Sequence, residues 1–233
     1  MTFLAPDQQR PIFDRNDPQQ AAPQGNGQLD GSGYLNSGLL QNGTSYVVTA
    51  SEPGTYSYVC LVHPQQVGTV VVNPAGTPYE HSQADYTAAV DAASPTIADW
   101  QARLAAYQPT MRQRPDGTRE HVILGGMGDG TAAVMRFSSQ ALEIRAGDTV
   151  TWDNLDTEAP HVVMFGPVQG APTEAWGDPR AFDGTDPLSS GYFGQNWPLG
   201  ETYSVTFSTP GQLAYVCVLH APALMIGTIA VAP

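Results

Sequence analysis

The chain has 233 residues, enough for one large domain or two small ones. It carries 22 acidic and nine basic residues, a net charge of −13, which argues against nucleic-acid binding because that function needs a basic face. Charged residues make up 13% of the chain and hydrophobic residues 41%, and there are 24 glycines and 20 prolines. This composition is typical of a folded protein built from short β-strands joined by many turns.

The two ends of the chain bear on export and on membrane insertion. Residues 1–20 contain no apolar segment of the kind found in signal peptides, so we expect any export signal to lie upstream of Met1. Residues 213–233 carry no formal charge, and hydropathy alone would allow a membrane span there. His220, Pro222 and Gly227 interrupt this segment and its β-branched residues favour strands, so we predict no membrane span.

An internal repeat indicates two related domains. Residues 46–63 (YVVTASEPGTYSYVCLVH) align without a gap with residues 203–220 (YSVTFSTPGQLAYVCVLH). Each copy then continues into a Gly-Thr and β-branched segment, at 68–72 and at 227–231. We therefore predict an incomplete domain over 1–73 and a complete domain over 119–233.

The stretch between the repeats, 74–118, is predicted to be a linker with one or two short helices. Residues 84–92 and 96–107 are rich in alanine with helical spacing, and Ser94 and Pro95 suit the start of the second helix. The side chains expected to share one face of that helix are Trp100, Leu104 and Tyr107. They favour a helix packed on the domains, and the alternative is a mobile tether.

The second domain is predicted to be a β-sandwich, because its short apolar runs are separated by turn residues. The predicted strands are 134–137, 141–144, 148–152, 161–165, 203–207, 213–217 and 226–231, and residues 166–200 form an irregular insertion.

One group of residues in this domain has the composition of a metal site. Cys217, His220 and Met225 lie between two predicted strands, and His161 lies at the start of an earlier one. A thiolate, two imidazoles and a weak thioether are the donors of a blue-copper site. A buried inert cysteine, zinc at the same residues and a disulfide to Cys60 are the alternatives. The thioether disfavours zinc, and the disulfide would need equivalent cysteines of two repeated domains to meet.

At these residues the sequence resembles the cupredoxins, the blue copper proteins of plastocyanin and pseudoazurin type. Their motif Cys-x2-His-x4-Met-x-Gly stands here as Cys217, His220, Met225 and Gly227, and residues 147–154 leading to His161 are also similar to the family. The resemblance covers 119–233 well and 1–73 in part. It implies an all-β protein of two Greek-key β-sandwich units joined by a partly helical linker.

The resemblance also implies the ligands of one type 1 copper per chain, which are His161, Cys217, His220 and Met225. Many family members have a polar residue after the first histidine ligand, whereas this chain has Val162 there. That difference leaves the source of hydrogen bonds to the thiolate open.

The first copy has a different donor set, namely Cys60, His63 and Gln66, with a shorter loop that resembles the amicyanin variant. Aligning Phe3 with Phe165 places the missing histidine about two positions before Met1. We therefore expect the chain to begin inside a longer first domain, or the half-domain to be completed by another chain in a homo-oligomer. A second copper is expected only if this domain is completed. A degenerate domain without metal is the alternative.

The function implied by the resemblance is electron transfer, with His220 as the electron portal. A redox partner protein is expected to dock at the apolar residues after it, Ala221, Pro222, Ala223 and Leu224. Cupredoxins work outside the cytoplasm, so the expected location is periplasmic or extracellular.

Two other functions remain open. One is a relative or fragment of a two-domain copper oxidase or nitrite reductase, in which a histidine beside the cysteine leads to a catalytic copper. Here valines flank Cys217 and too few histidines remain, so we expect no enzyme activity. The other is a copper-carrying or structural module. His81 and His121 lack partners at ligand spacing and are expected to have surface or strand-packing roles.

Overall fold

The computed structural model describes residues 1–41, 43–63, 65–130, 132–167, 173–220 and 225–233. The chain divides into two compact units, 1–94 and 95–233. In the described residues β-strands outnumber helices sixteen to two, which confirms the predicted all-β class. The finer division at residues 73 and 118 stays a prediction.

The first unit is built on a four-stranded sheet of order β3-β1-β5-β6, and β2 pairs with β4 beside it. Its elements are β1 (Thr2–Phe3), α1 (Pro18–Ala21), β2 (Gln28–Leu29), β3 (Leu35–Asn36), β4 (Thr49–Ala50), β5 (Gly54–Val59) and β6 (Val67–Val72). A small core of Phe3, Leu29 and Leu35 packs against half-buried tyrosines of β5. The hairpin of β5 and β6 is the strand pair predicted from the repeat.

One long helix, α2 (Gln83–Ala106), spans both alanine-rich stretches, for which the sequence predicted one or two short helices. It begins after a capping box in which Asp85 N donates to Ser82 Oγ at 3.3 Å and Ser82 N donates to Asp85 Oδ2 at 2.7 Å. Pro95 lies inside this helix, so the prediction that it starts a second helix is wrong. Pro95 removes one backbone donor, but the alanine-rich flanks have high helix propensity and the helix continues.

The second unit contains two sheets. Its strands are β7 (Thr110–Gln113), β8 (Arg119–Gly128), β9 (Ala133–Val134), β10 (Ala141–Arg145), β11 (Thr149–Asp156), β12 (Met164–Phe165), β13 (Leu188–Ser189), β14 (Thr202–Thr206), β15 (Gly211–Val216) and β16 (Ile226–Ala232). One sheet has the order β10-β16-β15-β12-β13, and the other has the order β14-β11-β8-β7 with β9 paired to β8. Pairing is parallel between β10 and β16 and between β8 and β11.

Two of the strands predicted in this unit are shorter than expected, and three strands, β7, β8 and β13, were not predicted. The strand predicted over 134–137 is limited to β9, and the strand predicted over 161–165 is limited to β12. His161 instead forms an isolated bridge to Phe193. The long strand β8 was not predicted, because Gly125 and Gly126 interrupt the alternation by which a strand is recognised.

The register of one sheet brings the candidate metal ligands to the same end. Met164 pairs with Val216 and Val216 pairs with Ile226, so the start of β12, the end of β15 and the start of β16 are adjacent. Cys217 follows β15, Met225 precedes β16 and His161 lies three residues before β12. The core beneath is aromatic, with the Trp152 and Tyr215 ring centroids 5.2 Å apart.

Candidate metal centre

The backbone holds the cysteine and both sides of its loop in place. Cys217 N donates to Met225 O at 3.0 Å, which closes the loop between β15 and β16. On the other side of the site, His161 and Phe193 exchange backbone hydrogen bonds of 3.0 and 3.1 Å. These contacts fix the main chain at Cys217 and at His161, which lie 56 positions apart in the sequence.

Three of the four predicted ligands converge on one point. Cys217 Sγ lies 3.8 Å from His161 Nδ1 and 3.5 Å from His220 Nδ1, and the two Nδ1 atoms are 3.2 Å apart. His161 and Cys217 are fully buried, and His220 is 8% exposed. A sulfur and two imidazole nitrogens facing one another in a buried pocket are the donor set that suits copper in both oxidation states. The residues therefore fit a type 1 copper.

Met225 is also fully buried, and its main chain is bonded to that of Cys217. This places it beside the cluster at the residue before β16. Its role as the axial ligand stays a prediction.

The thiolate receives a hydrogen bond from the backbone. Val162 N donates to Cys217 Sγ at 3.3 Å. An N–H aimed at a thiolate stabilises its negative charge and fixes its orientation. The apolar side chain at position 162 is therefore compatible with the site, because the main chain supplies this donor.

The cluster stabilises charges of opposite sign. Burial raises the pKa of the Cys217 thiol, but the imidazoles of His161 and His220 outweigh burial and hold that pKa well below its ordinary value. Burial lowers the pKa of His161, but Asp156 and Cys217 outweigh it and raise the pKa to about 9. The copper-free site therefore favours a thiolate beside an imidazolium, and a metal cation replaces the proton when it binds.

A buried carboxylate that the sequence analysis missed lies behind His161. Asp156 Oδ2 is 3.7 Å from His161 Nε2, and both side chains are fully buried. Asp156 Oδ1 accepts hydrogen bonds from the backbone of Glu158 and Ala159 at 2.8 and 3.1 Å. The carboxylate therefore lies on the far side of the imidazole and attracts its positive charge, while Nδ1 faces Cys217.

Asn154 fixes the same loop. Its side-chain amide donates to Ala159 O and to Phe193 O, both at 3.0 Å, and its Oδ1 accepts from Asp156 N at 2.9 Å. Asn154 and Asp156 follow the strand predicted over 148–152, although β11 extends to Asp156 in the structure. Asn and Asp at this spacing are typical of Asx turns, and this was the available sequence signal for them.

A glycine of β8 allows the histidine to approach the backbone. Gly126 has a φ of 151°, and a Cβ atom there would lie 2.1 Å from His161 Nε2. Glycine inside a strand often marks a close approach of this kind, and that was its only sequence signal.

The predicted residues of the first copy also lie together. Cys60 Sγ is 3.4 Å from His63 Nδ1, and His63 Nδ1 is 3.3 Å from Gln66 Oε1. Cys60 and Cys217 are both free, which removes the disulfide alternative.

The other predicted sites have different outcomes. His121 is buried in β8 with its Nε2 3.4 Å from Asp148 Oδ2, and His81 is exposed with its ring 5.9 Å from that of Tyr86. The proposed docking residues Ala221, Pro222, Ala223 and Leu224 lie outside the described residues. In the part of the chain that the structure describes, no helix is long and apolar enough to cross a membrane.

Comparison with known proteins identifies the family. The model of copper binding proteins of the plastocyanin/azurin family matches residues 126–232. A plastocyanin from Scenedesmus fuscus is 37% identical over 95 residues, which are 41% of this chain and 85% of that protein. An oxidised amicyanin variant is 24% identical with a TM-score of 0.34, over 54% of this chain and all of that chain. The copper-containing nitrite reductase from Thermus scotoductus SA-01 is 24% identical with a TM-score of 0.31, over 48% of this chain and 22% of that chain. The chain therefore belongs to the plastocyanin/azurin family of copper-binding proteins, the cupredoxins, and its cluster of His161, Cys217 and His220 fits a type 1 copper site.

Proposed function

We propose that the second unit is an electron carrier whose type 1 copper is held by His161, Cys217 and His220, with Met225 as a weak axial ligand. The observation that carries this proposal is the convergence of one sulfur and two Nδ1 atoms in a pocket where no ligand is more than 8% exposed. Copper would supply one-electron oxidation and reduction there.

The protein supplies a rigid set of donors. The thiolate is held by Val162 N, and the His161 ring lies between Cys217 and Asp156. Imidazole suits Cu(II) and sulfur suits Cu(I), so the same donors serve both states with little rearrangement. A small structural change between the two states is what rapid electron transfer requires.

His220 is proposed as the portal for electrons. It is 8% exposed, whereas His161 is fully buried, so only the His220 ring can reach a partner at the surface. We propose that a redox partner protein docks around this edge and on residues 221–224. A small, transient interface suits this role.

We propose that the chain is a carrier and not an enzyme. Val216 and Val218 flank Cys217, so the sequence has no histidine beside the cysteine to lead to a catalytic copper. The copper-loaded protein is expected to show no nitrite reduction and no oxygen consumption with a reducing substrate. Turnover in either assay would establish the enzyme alternative.

The first experiment measures visible absorption, electron paramagnetic resonance and copper content of the oxidised full chain. We expect an intense blue band that disappears on chemical reduction and returns on reoxidation. Cys217→Ser is expected to abolish the band, and the matched variant Cys60→Ser is expected to keep most of it. A copper-loaded chain without a reversible blue band would refute the proposal.

We propose a periplasmic or extracellular location, which family membership supports. Fractionation of the source cells with an antibody to the full chain tests it. Recovery in the cytoplasmic fraction would contradict this location.

A further inference from the structure

The first unit contains the same strand-loop-strand arrangement as the copper site. Cys60 N donates to Gln66 O at 2.8 Å, just as Cys217 N donates to Met225 O at 3.0 Å. The backbone therefore makes Gln66 the structural counterpart of Met225, as the alignment from the following glycine predicts.

The packing under the two loops is also the same. Tyr58 pairs with Gly68 and Tyr215 pairs with Gly227. A Cβ atom on either glycine would lie within 2.3 Å of its partner tyrosine ring. The Cys60 loop and the Cys217 loop therefore each lie on a hairpin in which a tyrosine packs against a glycine in the same way.

Two donor atoms of the first loop lie close to a third, His63 Nδ1. Cys60 Sγ and His63 Nδ1 are 3.4 Å apart, close to the 3.5 Å between the sulfur and Nδ1 of the cysteine and histidine in the second loop. Gln66 Oε1 lies 3.3 Å from His63 Nδ1 and brings a neutral oxygen to the same atom. Glutamine can serve as a weak ligand in copper sites of this type.

A cavity of about 300 Å³ lies against these donors. Its lining includes Cys60, His63 and Gln66 together with the polar side chains of Asn36 and Ser37. The donors are more accessible than those of the second unit, because Cys60 is half-buried and Gln66 is exposed. A cation can therefore reach the sulfur, the imidazole and the amide from the cavity.

We propose that Cys60 Sγ, His63 Nδ1 and Gln66 Oε1 form a second metal site, which binds copper as Cu(I). Soft sulfur ligands select Cu(I), whereas imidazole suits Cu(II), and this site has one imidazole where the second unit has two. Binding forms a bond between the cation and the thiolate and releases the thiol proton to solvent, with no change in oxidation state. The bound Cu(I) is expected to give no blue band, so this site adds copper to the chain without adding colour.

The test is an anaerobic titration of the full chain with Cu(I), in competition with a chromophoric Cu(I) chelator. We expect two Cu(I) per wild-type chain and one in Cys60→Ser, whose blue band after oxidation equals that of wild type. His63→Ala is expected to weaken Cu(I) binding at the Cys60 site by about tenfold or more. Gln66→Ala removes a proposed ligand and should also weaken Cu(I) binding at the Cys60 site. Its matched control is Gln65→Ala, at the neighbouring exposed glutamine, which should leave Cu(I) binding at both sites unchanged.

The variant Cys217→Ser separates this proposal from the proposed electron carrier. It should bind one Cu(I) and show no blue band. If Cys217→Ser binds no Cu(I), or if Cys60→Ser still binds two, the proposed Cys60 site does not exist. If wild type shows no blue band but Cys217→Ser binds one Cu(I), the carrier proposal fails and the Cys60 site stands.

Discussion

Replacing Gly126 by alanine tests how the His161 ring is positioned. The new Cβ would lie 2.1 Å from Nε2 and 2.6 Å from Cδ2 of His161. Since nonbonded heavy atoms prefer a separation of about 3.5 Å, the ring would have to move by roughly 1.4 Å. It has little room to move, because it is fully buried and its Nδ1 is already 3.2 Å from His220 Nδ1.

The expected cost has two parts. A φ of 151° disfavours any residue with a Cβ, at about 1–2 kcal/mol. Forcing an extra carbon into a packed interior costs about 1–3 kcal/mol more. Together Gly126→Ala should lower the free energy of unfolding by about 2–5 kcal/mol, and it should weaken or shift the blue band because His161 is displaced.

Urea unfolding of the copper-free protein and the visible spectrum of the loaded protein measure these two effects. Gly200→Ala is the matched control, because Gly200 has a φ of 80° but nothing within 4 Å of the added Cβ. The free energy of unfolding of Gly200→Ala should fall only by the backbone part of the cost, about 1–2 kcal/mol, and the blue band should be unchanged. The reasoning is refuted if the two variants are equally stable and equally blue.

Three further predictions follow from buried contacts. Asp156→Asn removes a charge 3.7 Å from His161, so the pKa of that imidazole in the copper-free protein should fall below about 9. Titration followed by nuclear magnetic resonance measures this pKa, and an unchanged value would contradict the role given to the carboxylate. Burial raises the pKa of Asp148, but hydrogen bonds from two backbone N–H groups and from a histidine outweigh it and lower the pKa. The stability that Asp148 contributes is therefore present above its ordinary pKa of 3.8 and is lost as the pH falls through the lower pKa of the folded state. On acidification, the free energy of unfolding in urea should fall by about 1–3 kcal/mol more for wild type than for Asp148→Asn. Parallel losses in the two proteins would contradict this role of Asp148. Gly227→Ala places a Cβ 2.2 Å from the buried Tyr215 ring and should lower the free energy of unfolding by about 1–3 kcal/mol in the same assay. Stability equal to that of wild type would show that the ring moves freely.

Much of the fold could be predicted because its signals are local. The repeat, the turn residues and the β-branched runs predict the hairpins of both units, and the structure has β5 with β6 and β15 with β16 as antiparallel pairs. The strand β8 was missed because its three glycines and its continuous apolar run hide the alternation. Whether the linker holds one helix or two could not be predicted, because Pro95 suits the start of a helix while the alanines on both sides of it favour a continuous one.

Part of the candidate site could be predicted for the same reason. Cys217 and His220 are three residues apart in one loop, so their proximity follows from the chain itself. Asp156 and Gly126 gave only weak turn and glycine signals, because their contacts with His161 depend on how β8 and β11 pair.

The amino-acid sequence alone determined the class of strands, the duplication and the donors that lie close together in each loop, since these depend on periodicity and short spacing. Only the tertiary structure decided which distant groups meet. The register of β12, β15 and β16 places His161 beside a cysteine 56 residues away, and the close approach at Gly126 and the carboxylate of Asp156 complete its surroundings. Such contacts depend on long-range strand pairing and side-chain packing, which no short stretch of sequence encodes.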